Sequence, residues 1–275
     1  MAGTFKAQEV TNTLWAYATI GREPGAAVMK ELEGRAEAVA GTFNAQDVAN
    51  KLWAVGGLAL LCAPGQVRRW LQFLVHVLQL LQLVQRLATL GKAACFNTLQ
   101  LCQVHQSFVS CSVEPRLRME AINDMRALKE TCREAFVFAK AAPSATQQQV
   151  SETLRHMGML VEDEVRCPKS GYSIDMMVHD SGRGMGGERS SSTGTWAVEF
   201  DGPSHFLTSR APTGATLLKR RHLLGMGHTL VSVPYWEWER CQGAGEREQA
   251  GSNNVTAACH TLAEVASLTI AFRTP

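Results

Sequence analysis

The chain has 275 residues, of which 45% are hydrophobic, so it can bury one large core or two smaller ones. Its 27 basic and 25 acidic side chains leave a net charge of +2. This balance does not by itself call for a nucleic-acid partner, and any basic surface must be local. The eight cysteines include no Cys-x-x-Cys pair, which excludes the common zinc-binding modules.

Two stretches near the amino terminus repeat one another. The sequence TFKAQEVTNTLWA, beginning at Thr4, returns as TFNAQDVANKLWA at Thr42, an offset of 38 residues. A constant period of roughly 20 to 50 residues is typical of stacked supersecondary units. Apolar residues follow each start at helical spacing, and residues 26–40 predict a second helix between the copies. Each unit is therefore expected to be a helix pair. Residues 97–101 faintly echo residues 12–16.

The leucine-rich segment at residues 70–90 raises the question of a membrane span. Polar residues recur along it every three or four positions, which places them in one stripe on a helix. A spanning helix needs about 20 mostly apolar residues. We therefore expect an amphipathic helix packed into a helical array, and no membrane partner.

The second half of the chain starts with a helix and three strands. The helix is predicted to begin at Ser144 or Thr146 and to end at Gly158. Short apolar runs of strand length follow it. They lie at residues 160–165, 172–178 and 196–200. A Gly- and Ser-rich hairpin insertion is expected at residues 179–195.

The remaining predicted elements complete an α/β unit. A helix capped by Thr213 runs to about residue 226, and a strand follows at residues 228–233. A turn is expected at residues 234–238, and a last helix near residues 255–270.

The segment from Trp196 to Trp238 carries the residues with the clearest chemistry. Glu199 and Asp201 stand two apart at the end of an apolar run, and His205 follows. A basic quartet lies on the next predicted helix. It consists of Lys219, Arg220, Arg221 and His222. The pattern indicates either a metal-dependent nuclease core or a nuclease-derived domain kept for binding nucleic acid.

The residues F-x-A-Q-[ED]-V-x-N-x-L-W-A, present twice, resemble the octotricopeptide repeat. That repeat is a 38-residue helical pair typical of green-algal organellar RNA-binding proteins. The resemblance implies that each repeat meets roughly one nucleotide, as in other helical-repeat RNA readers. The repeated Phe, Val, Leu and Trp residues are expected to form the core between repeats, and polar positions would contact the RNA.

Five motifs in the second half resemble the RAP domain. They are Q-x-x-V-x-x-x-L near 147–154, G-Y-S-I-D at 171–175, V-E-F-D-G-P-x-H-F at 198–206, K-R-R-x-L-L at 219–224 and G-H-x-L-V-x-V-P-Y-x-E-W at 227–238. This domain lies at the carboxyl terminus of octotricopeptide-repeat proteins and of the FAST kinase family of mitochondrial RNA factors. The resemblance implies a small restriction-endonuclease-like fold of the PD-(D/E)XK type.

In such a core, carboxylates on adjacent strands hold Mg²⁺, which activates water. The resemblance assigns Asp175 and Glu199 to the metal, and Asp201 stands where the usual lysine would be. Three carboxylates can still hold a metal. Lys219 on the following helix could supply the positive charge of the missing lysine, and His205 could act as an acid or base. The missing lysine nevertheless favours a non-catalytic domain. Such a domain would require no cofactor.

Contacts to RNA are expected at two places. The quartet Lys219, Arg220, Arg221 and His222 would hold the phosphate backbone, although a charge run is by default a solvated helix face. Trp238 would stack on a base, with core packing as its alternative.

Together these features predict a helical-repeat region at residues 1–142 and a RAP domain at residues 143–275. The expected function is single-stranded RNA binding, with ribonucleoprotein partners, in chloroplast or mitochondrial RNA processing, including rRNA processing, stability or translation. The alternatives are a Mg²⁺-dependent endoribonuclease and a protein-interaction scaffold. No presequence precedes the first repeat at Phe5, so an incomplete amino terminus is expected.

Overall fold

The computed structural model describes residues 2–61, 96–113, 125–139, 143–156, 158–179 and 195–240. The helices predicted at 70–90 and 255–270, and most of the predicted hairpin insertion, lie outside these residues. The chain divides into two compact units. The first comprises Met1–Lys140 and Leu207–Gly225, and the second comprises Ala141–Phe206 and Met226–Pro275. The boundary predicted after residue 142 stays a prediction.

The described helices and strands follow the predicted order closely. In chain order they are α1 (Ala7–Thr19), α2 (Ala26–Ala38), α3 (Ala45–Leu61), α4 (Thr98–Val113), α5 (Arg126–Phe138), α6 (Ala145–His156), β1 (Leu160–Arg166), β2 (Ser173–His179), β3 (Thr195–Asp201), α7 (Gly214–Gly225) and β4 (Leu230–Pro234). Helices and a small mixed sheet are therefore both present, as expected. None of the described helices is long and apolar enough to cross a membrane.

Two helices of the first unit begin with a reciprocal cap, and a third begins with one of the two bonds of such a cap. Asn44 and Asp47 exchange backbone-to-side-chain hydrogen bonds of 3.1 and 2.9 Å at the start of α3. Asn97 and Gln100 do the same at the start of α4, at 2.8 and 3.0 Å. At α1, the Lys6 N–H donates to Glu9 Oε2 at 2.7 Å. These reciprocal caps satisfy backbone donors that a helix start leaves without partners.

The matching caps correct one alignment made from the sequence. Asn97 echoes Asn12 in the sequence, but in the structure it caps α4 as Asn44 caps α3. Phe96 then takes the place of Phe43, and both rings pack against the core of the first unit. The stretch that starts α4 is therefore equivalent to the start of the 38-residue unit and not to its middle.

Helices α1, α3 and α4 pack side by side with equivalent positions adjacent. The Asn50 amide donates to Asn12 Oδ1 at 3.4 Å and accepts from Gln103 Nε2 at 3.3 Å. Trp15 and Trp53 occupy the same repeat position, and their ring centroids are 6.4 Å apart. Below these side chains, apolar residues of all three helices fill one core. They include Val10, Leu14, Leu52, Val55 and Val104.

Helix α7 also packs within the first unit, against α1, α3 and α4. Thr213 Oγ1 accepts from the Thr216 N–H at 3.4 Å, which confirms the predicted cap. At the first residue of the helix the backbone approaches α1 so closely that a Cβ on Gly214 would lie 1.6 Å from the Ala18 carbonyl oxygen. Leu218 extends from α7 into the core of the unit.

The second unit contains a four-stranded sheet in the order β1-β2-β3-β4. The first three strands are antiparallel, with Met176 opposite Val198, and β4 runs parallel to β3, with Ser232 opposite Glu199. Helix α6 covers one face, where Val150 and Leu154 pack with apolar side chains of β2, β3 and β4. A parallel pair needs a crossover connection, and α7 lies in the connection between β3 and β4.

The ends of two predicted elements show how local chemistry sets boundaries. Ser144 Oγ accepts from the Gln147 N–H at 3.1 Å and so caps α6. Gly158 ends that helix with a φ of +83°, a conformation that side chains with a Cβ rarely adopt. After β4, residues 235–240 are helical, where a turn was expected. Pro234 stands before this helix and Glu237 lies in its first turn, and both residues favour a helix start.

Candidate functional site

The carboxylates of the E-x-D sequence lie on β3 in the second unit. Side chains two apart on a strand share a face, so Glu199 and Asp201 point the same way. Asp175 precedes Met176, which pairs with Val198, and it therefore lies on this face too. Glu199 is 3% exposed and Asp201 2% exposed, whereas Asp175 is half-buried. The sheet thus brings the three predicted carboxylates onto one face.

Asp201 is fixed by hydrogen bonds from two sides. Its Oδ1 lies 2.8 Å from His205 Nδ1, and its Oδ2 accepts from the hydroxyl of Ser232 on β4. We call Ser232, Asp201 and His205 the Asp201 network. The serine hydroxyl points to the carboxylate and not to the histidine, so this is not the order of a nucleophilic triad. The network ties the turn after β3 to the neighbouring strand.

Asp175 is also engaged. Its Oδ2 accepts the backbone N–H of Phe200 at 2.9 Å. The carboxylate thereby binds a backbone donor of the adjacent strand, which is a structural use of a half-buried charge.

The three carboxylates do not fit a Mg²⁺ site. Such a site needs several oxygens that converge on one point, whereas Asp201 is directed to Ser232 and His205, and Asp175 is directed to the backbone N–H of Phe200. Within the described ranges, no three His, Cys, Asp or Glu side chains come together as a metal-holding group. No metal-dependent step follows from these residues.

The four residues of the basic quartet differ in their burial. Lys219, Arg220 and Arg221 are half-buried on α7, in the first unit. His222 is fully buried, and its Nε2 lies 2.8 Å from Ser110 Oγ. Burial, together with smaller contributions from the nearby His105 and Arg221, lowers the pKa of His222 from its ordinary 6.5 to about 3. His222 is therefore neutral near pH 7, and its expected contact with phosphate is wrong because the ring is buried and uncharged.

The predicted stacking residue is also corrected. Trp238 is 6% exposed and belongs to the core of the second unit, so it presents no ring to a base. Trp236, two residues earlier, is half-buried. Its ring lies 4.4 Å from that of Phe206 and 5.1 Å from that of Tyr235, measured between centroids. The structure therefore supports the alternative given for Trp238, which is core packing.

Sequence reasoning missed Ser232 and Phe206. Ser232 is the polar residue in the apolar run L-V-S-V-P of β4. A hydroxyl in the middle of such a strand signals a polar partner on the same face, and this signal was available. Phe206 gave no such signal, because its aromatic partners come from the distant segment after β4.

The profile of the RAP domain family matches residues 198–250. Residues 198–250 are a RAP domain. The match contains Glu199, the Asp201 network, all of α7 and the aromatic rings that follow β3 and β4. RAP domains are in general RNA-binding domains.

One relative is a protein of Oryza sativa subsp. japonica named "RAP domain-containing protein, chloroplastic". It is 31% identical to this chain over 111 residues. The matched segment covers 40% of the chain and 15% of the relative. The chain therefore matches a small part of the longer plant protein.

Proposed function

We propose that this protein binds single-stranded RNA through its RAP domain without cleaving it. The observation that carries the proposal is the Asp201 network. Asp201 stands where a nuclease of the PD-(D/E)XK type carries its lysine, and its carboxylate binds Ser232 and His205. An aspartate at this position brings a negative charge where such a nuclease places a cation beside the scissile phosphate, and here that carboxylate holds a turn.

The order of elements supports descent from a nuclease-type core. A helix, three antiparallel strands, a crossover helix and a final parallel strand follow one another in the second half of the chain. On such a core the carboxylates would hold a metal. Here Asp175 binds a backbone amide, and Asp201 binds a serine and a histidine. We infer that the fold was kept for RNA handling after the catalytic arrangement was lost.

The helical part supports the same function. Helices α3 and α4 begin with equivalent caps, and α1, α3 and α4 place equivalent residues side by side. We infer from this packing a helical-repeat array of the octotricopeptide type, which would extend the RNA-binding surface beyond the RAP domain. The second alternative, a protein-interaction scaffold, would use the same array without RNA.

The proposed site of action is an organelle. The support is the plant relative, whose name describes it as chloroplastic, together with the resemblance to organellar RNA factors. In a chloroplast or mitochondrion the protein would act in RNA processing, stability or translation, within ribonucleoprotein complexes. Fractionation of source cells with an antibody against this chain tests the location, and recovery of the protein only from the cytosol would contradict it.

RNA binding is tested with the purified chain and a short, unstructured, fluorescent RNA titrated at several salt concentrations. Each neutralised phosphate contributes a slope of roughly 0.7 in the plot of log affinity against log salt for single strands. Replacing Lys219, Arg220 and Arg221 by Gln should reduce that slope by up to about 2. A comparison variant replaces the exposed residues Arg22, Lys30 and Arg126 of the helical part by Gln, and its slope should fall less than that of the α7 variant.

The same assay separates the functions. Absent binding, or an affinity that does not depend on salt, overturns RNA binding and favours the scaffold. RNA cleavage that requires Mg²⁺ and disappears in Asp175→Asn and Glu199→Gln would establish the nuclease instead. We expect intact RNA in the presence of Mg²⁺.

A further inference from the structure

Three aromatic rings form a cluster beside the Asp201 network in the second unit. We call Phe206, Tyr235 and Trp236 the aromatic cluster. Phe206 and Trp236 meet at an interplanar angle of 60°, Tyr235 and Trp236 at 80°, and Phe206 and Tyr235 at 53°. Each of the three side chains is half-buried. The rings hold one another in tilted or edge-on contacts, so within the cluster no ring face is covered by a parallel partner.

The cluster lies where a ligand is expected on this kind of sheet. Strands β3 and β4 are parallel and end at Asp201 and Pro234, which are partners in register. Phe206 follows the end of β3 after one short turn, and Tyr235 follows Pro234 directly. In open α/β sheets, ligands bind beyond the carboxyl ends of parallel strands. The rings are therefore placed at the binding edge of the parallel pair.

The Asp201 network fixes this edge. The turn from Gly202 to His205 includes a 3₁₀ helix over Pro203–His205, and the imidazole is held by Asp201 through Nδ1. The His205 side chain remains 39% exposed. Phe206 comes next in the chain, so the network also positions one ring of the cluster. A ligand meeting this edge encounters rings whose orientation is already set, which lowers the entropy lost on binding.

We propose that the aromatic cluster stacks one unpaired nucleobase of single-stranded RNA, with Trp236 as the principal ring. This inference rests on the proposed RNA binding and names the group that is bound and the residues that bind it. Aromatic side chains stack on bases of any sequence because every base has a π face. The cluster lies inside the RAP match at residues 198–250, and the neighbouring Trp238 fills the core. Of these two neighbouring tryptophans, Trp236 is the one with more exposed surface.

The test compares Trp236→Leu with Trp236→Phe in the full chain. Leucine is apolar but has no ring, whereas phenylalanine keeps one. Each variant is titrated with a short unstructured RNA and with the same RNA in which every base is replaced by an abasic sugar. Loss of one stacked base should weaken binding of the normal RNA by roughly 5- to 150-fold in Trp236→Leu. Trp236→Phe should keep most of the affinity.

Two readouts separate stacking from a general loss of structure. The slope of log affinity against log salt should be the same in wild type and Trp236→Leu, because the phosphate contacts are unchanged. The affinity for abasic RNA should also be unchanged. If Trp236→Leu binds normal RNA as tightly as wild type, or loses affinity equally for both RNAs, the stacking proposal is wrong while RNA binding stands. If wild type itself binds no RNA, both proposals fail.

Discussion

The imidazole of His222 lies against the hydroxyl of Ser110, with Nε2 2.8 Å from Oγ, although 112 positions separate the two residues in the chain. Both side chains are fully buried in the first unit. The contact joins α7, which lies between two strands in the sequence, to α4. A residue that looks like part of a basic run is therefore a neutral core side chain.

The buried imidazole should make stability depend on pH. The pKa of His222 is about 3 in the folded protein and 6.5 ordinarily, so below about pH 6.5 the unfolded chain binds a proton that the folded chain refuses. The stabilisation present above pH 6.5 is then lost as the pH falls toward 3, at up to about 1.4 kcal/mol per pH unit. Thermal unfolding of wild type and His222→Asn between neutral and acidic pH measures this, and the variant should show the shallower dependence. Equal dependence in both proteins would mean that His222 is not the responsible group.

Gly214 should tolerate no side chain. A Cβ there would lie 1.6 Å from the Ala18 carbonyl oxygen, and both groups belong to backbone that cannot yield without moving a helix. We expect Gly214→Ala to lower the free energy of unfolding by about 1–3 kcal/mol or more, because overpacking a core typically costs this much.

The matched control is Gly34, which lies inside α2 with open space around its Cβ position. Gly34→Ala should stabilise the protein by about 0.5–1 kcal/mol, because alanine favours the helix. Chemical denaturation measures both variants. A Gly214→Ala protein as stable as Gly34→Ala would show that α1 and α7 do not meet as described.

Removing the Asp201 carboxylate should cost more than removing a similar exposed one. Asp201→Ala removes a buried carboxylate that binds the half-buried Ser232 and His205, and the loss of these two bonds to a charged group should cost about 1–3 kcal/mol. Asp163 is the matched control, since it also binds a serine and a base, Ser151 and Arg155.

The side chains of Asp163 and Arg155 are each 44% exposed, so Asp163→Ala should cost at most about 1 kcal/mol. Hydrogen exchange of the amides that follow Asp201 gives a local readout. Their protection should fall in Asp201→Ala and stay constant in Asp163→Ala. Unchanged protection in the first variant would show that the network does not hold the turn.

Asn50 should contribute to stability more than Asn12, although both occupy the same repeat position. The buried Asn50 amide contacts Asn12, Gln46 and Gln103. Asn50→Ala leaves these polar partners unsatisfied, and we expect a loss of roughly 1–3 kcal/mol. Asn12 is exposed, and Asn12→Ala should change the free energy of unfolding by less than about 0.5 kcal/mol. Equal effects would contradict the central place of Asn50 in the row.

Local signals predicted most of the elements. Ser144, Thr213 and Gly158 mark helix ends that the structure contains, because capping and positive φ depend on a few adjacent residues. The helix at residues 235–240 was missed because its start was interpreted as a turn after Pro234. The position of Asn97 in the repeat was misjudged for a different reason. The sequence around Asn97 does resemble the sequence around Asn12. The role of Asn97 as a helix cap, however, depends on its hydrogen bonds to Gln100, three positions later.

The environment of side chains was less predictable than the elements. His222 is buried where α7 packs against α4, beside Ser110. The aromatic cluster joins residues that follow two different strands. Such contacts leave no periodic trace in the sequence. The carboxylates were found because the E-x-D spacing marks one face of a strand. Their chemistry was not, because the role of Asp201 depends on a hydroxyl from β4.

The placement of α7 has a consequence for modularity. The connection that makes β3 and β4 parallel passes through a helix whose Leu218 and His222 are buried among α1, α3 and α4. A gene fragment cut at the edges of the RAP match would leave those two side chains without the helices that cover them. The matched segment therefore shares part of its interior with α1, α3 and α4, which precede it in the chain. Chimaeras that transplant this segment should include those helices.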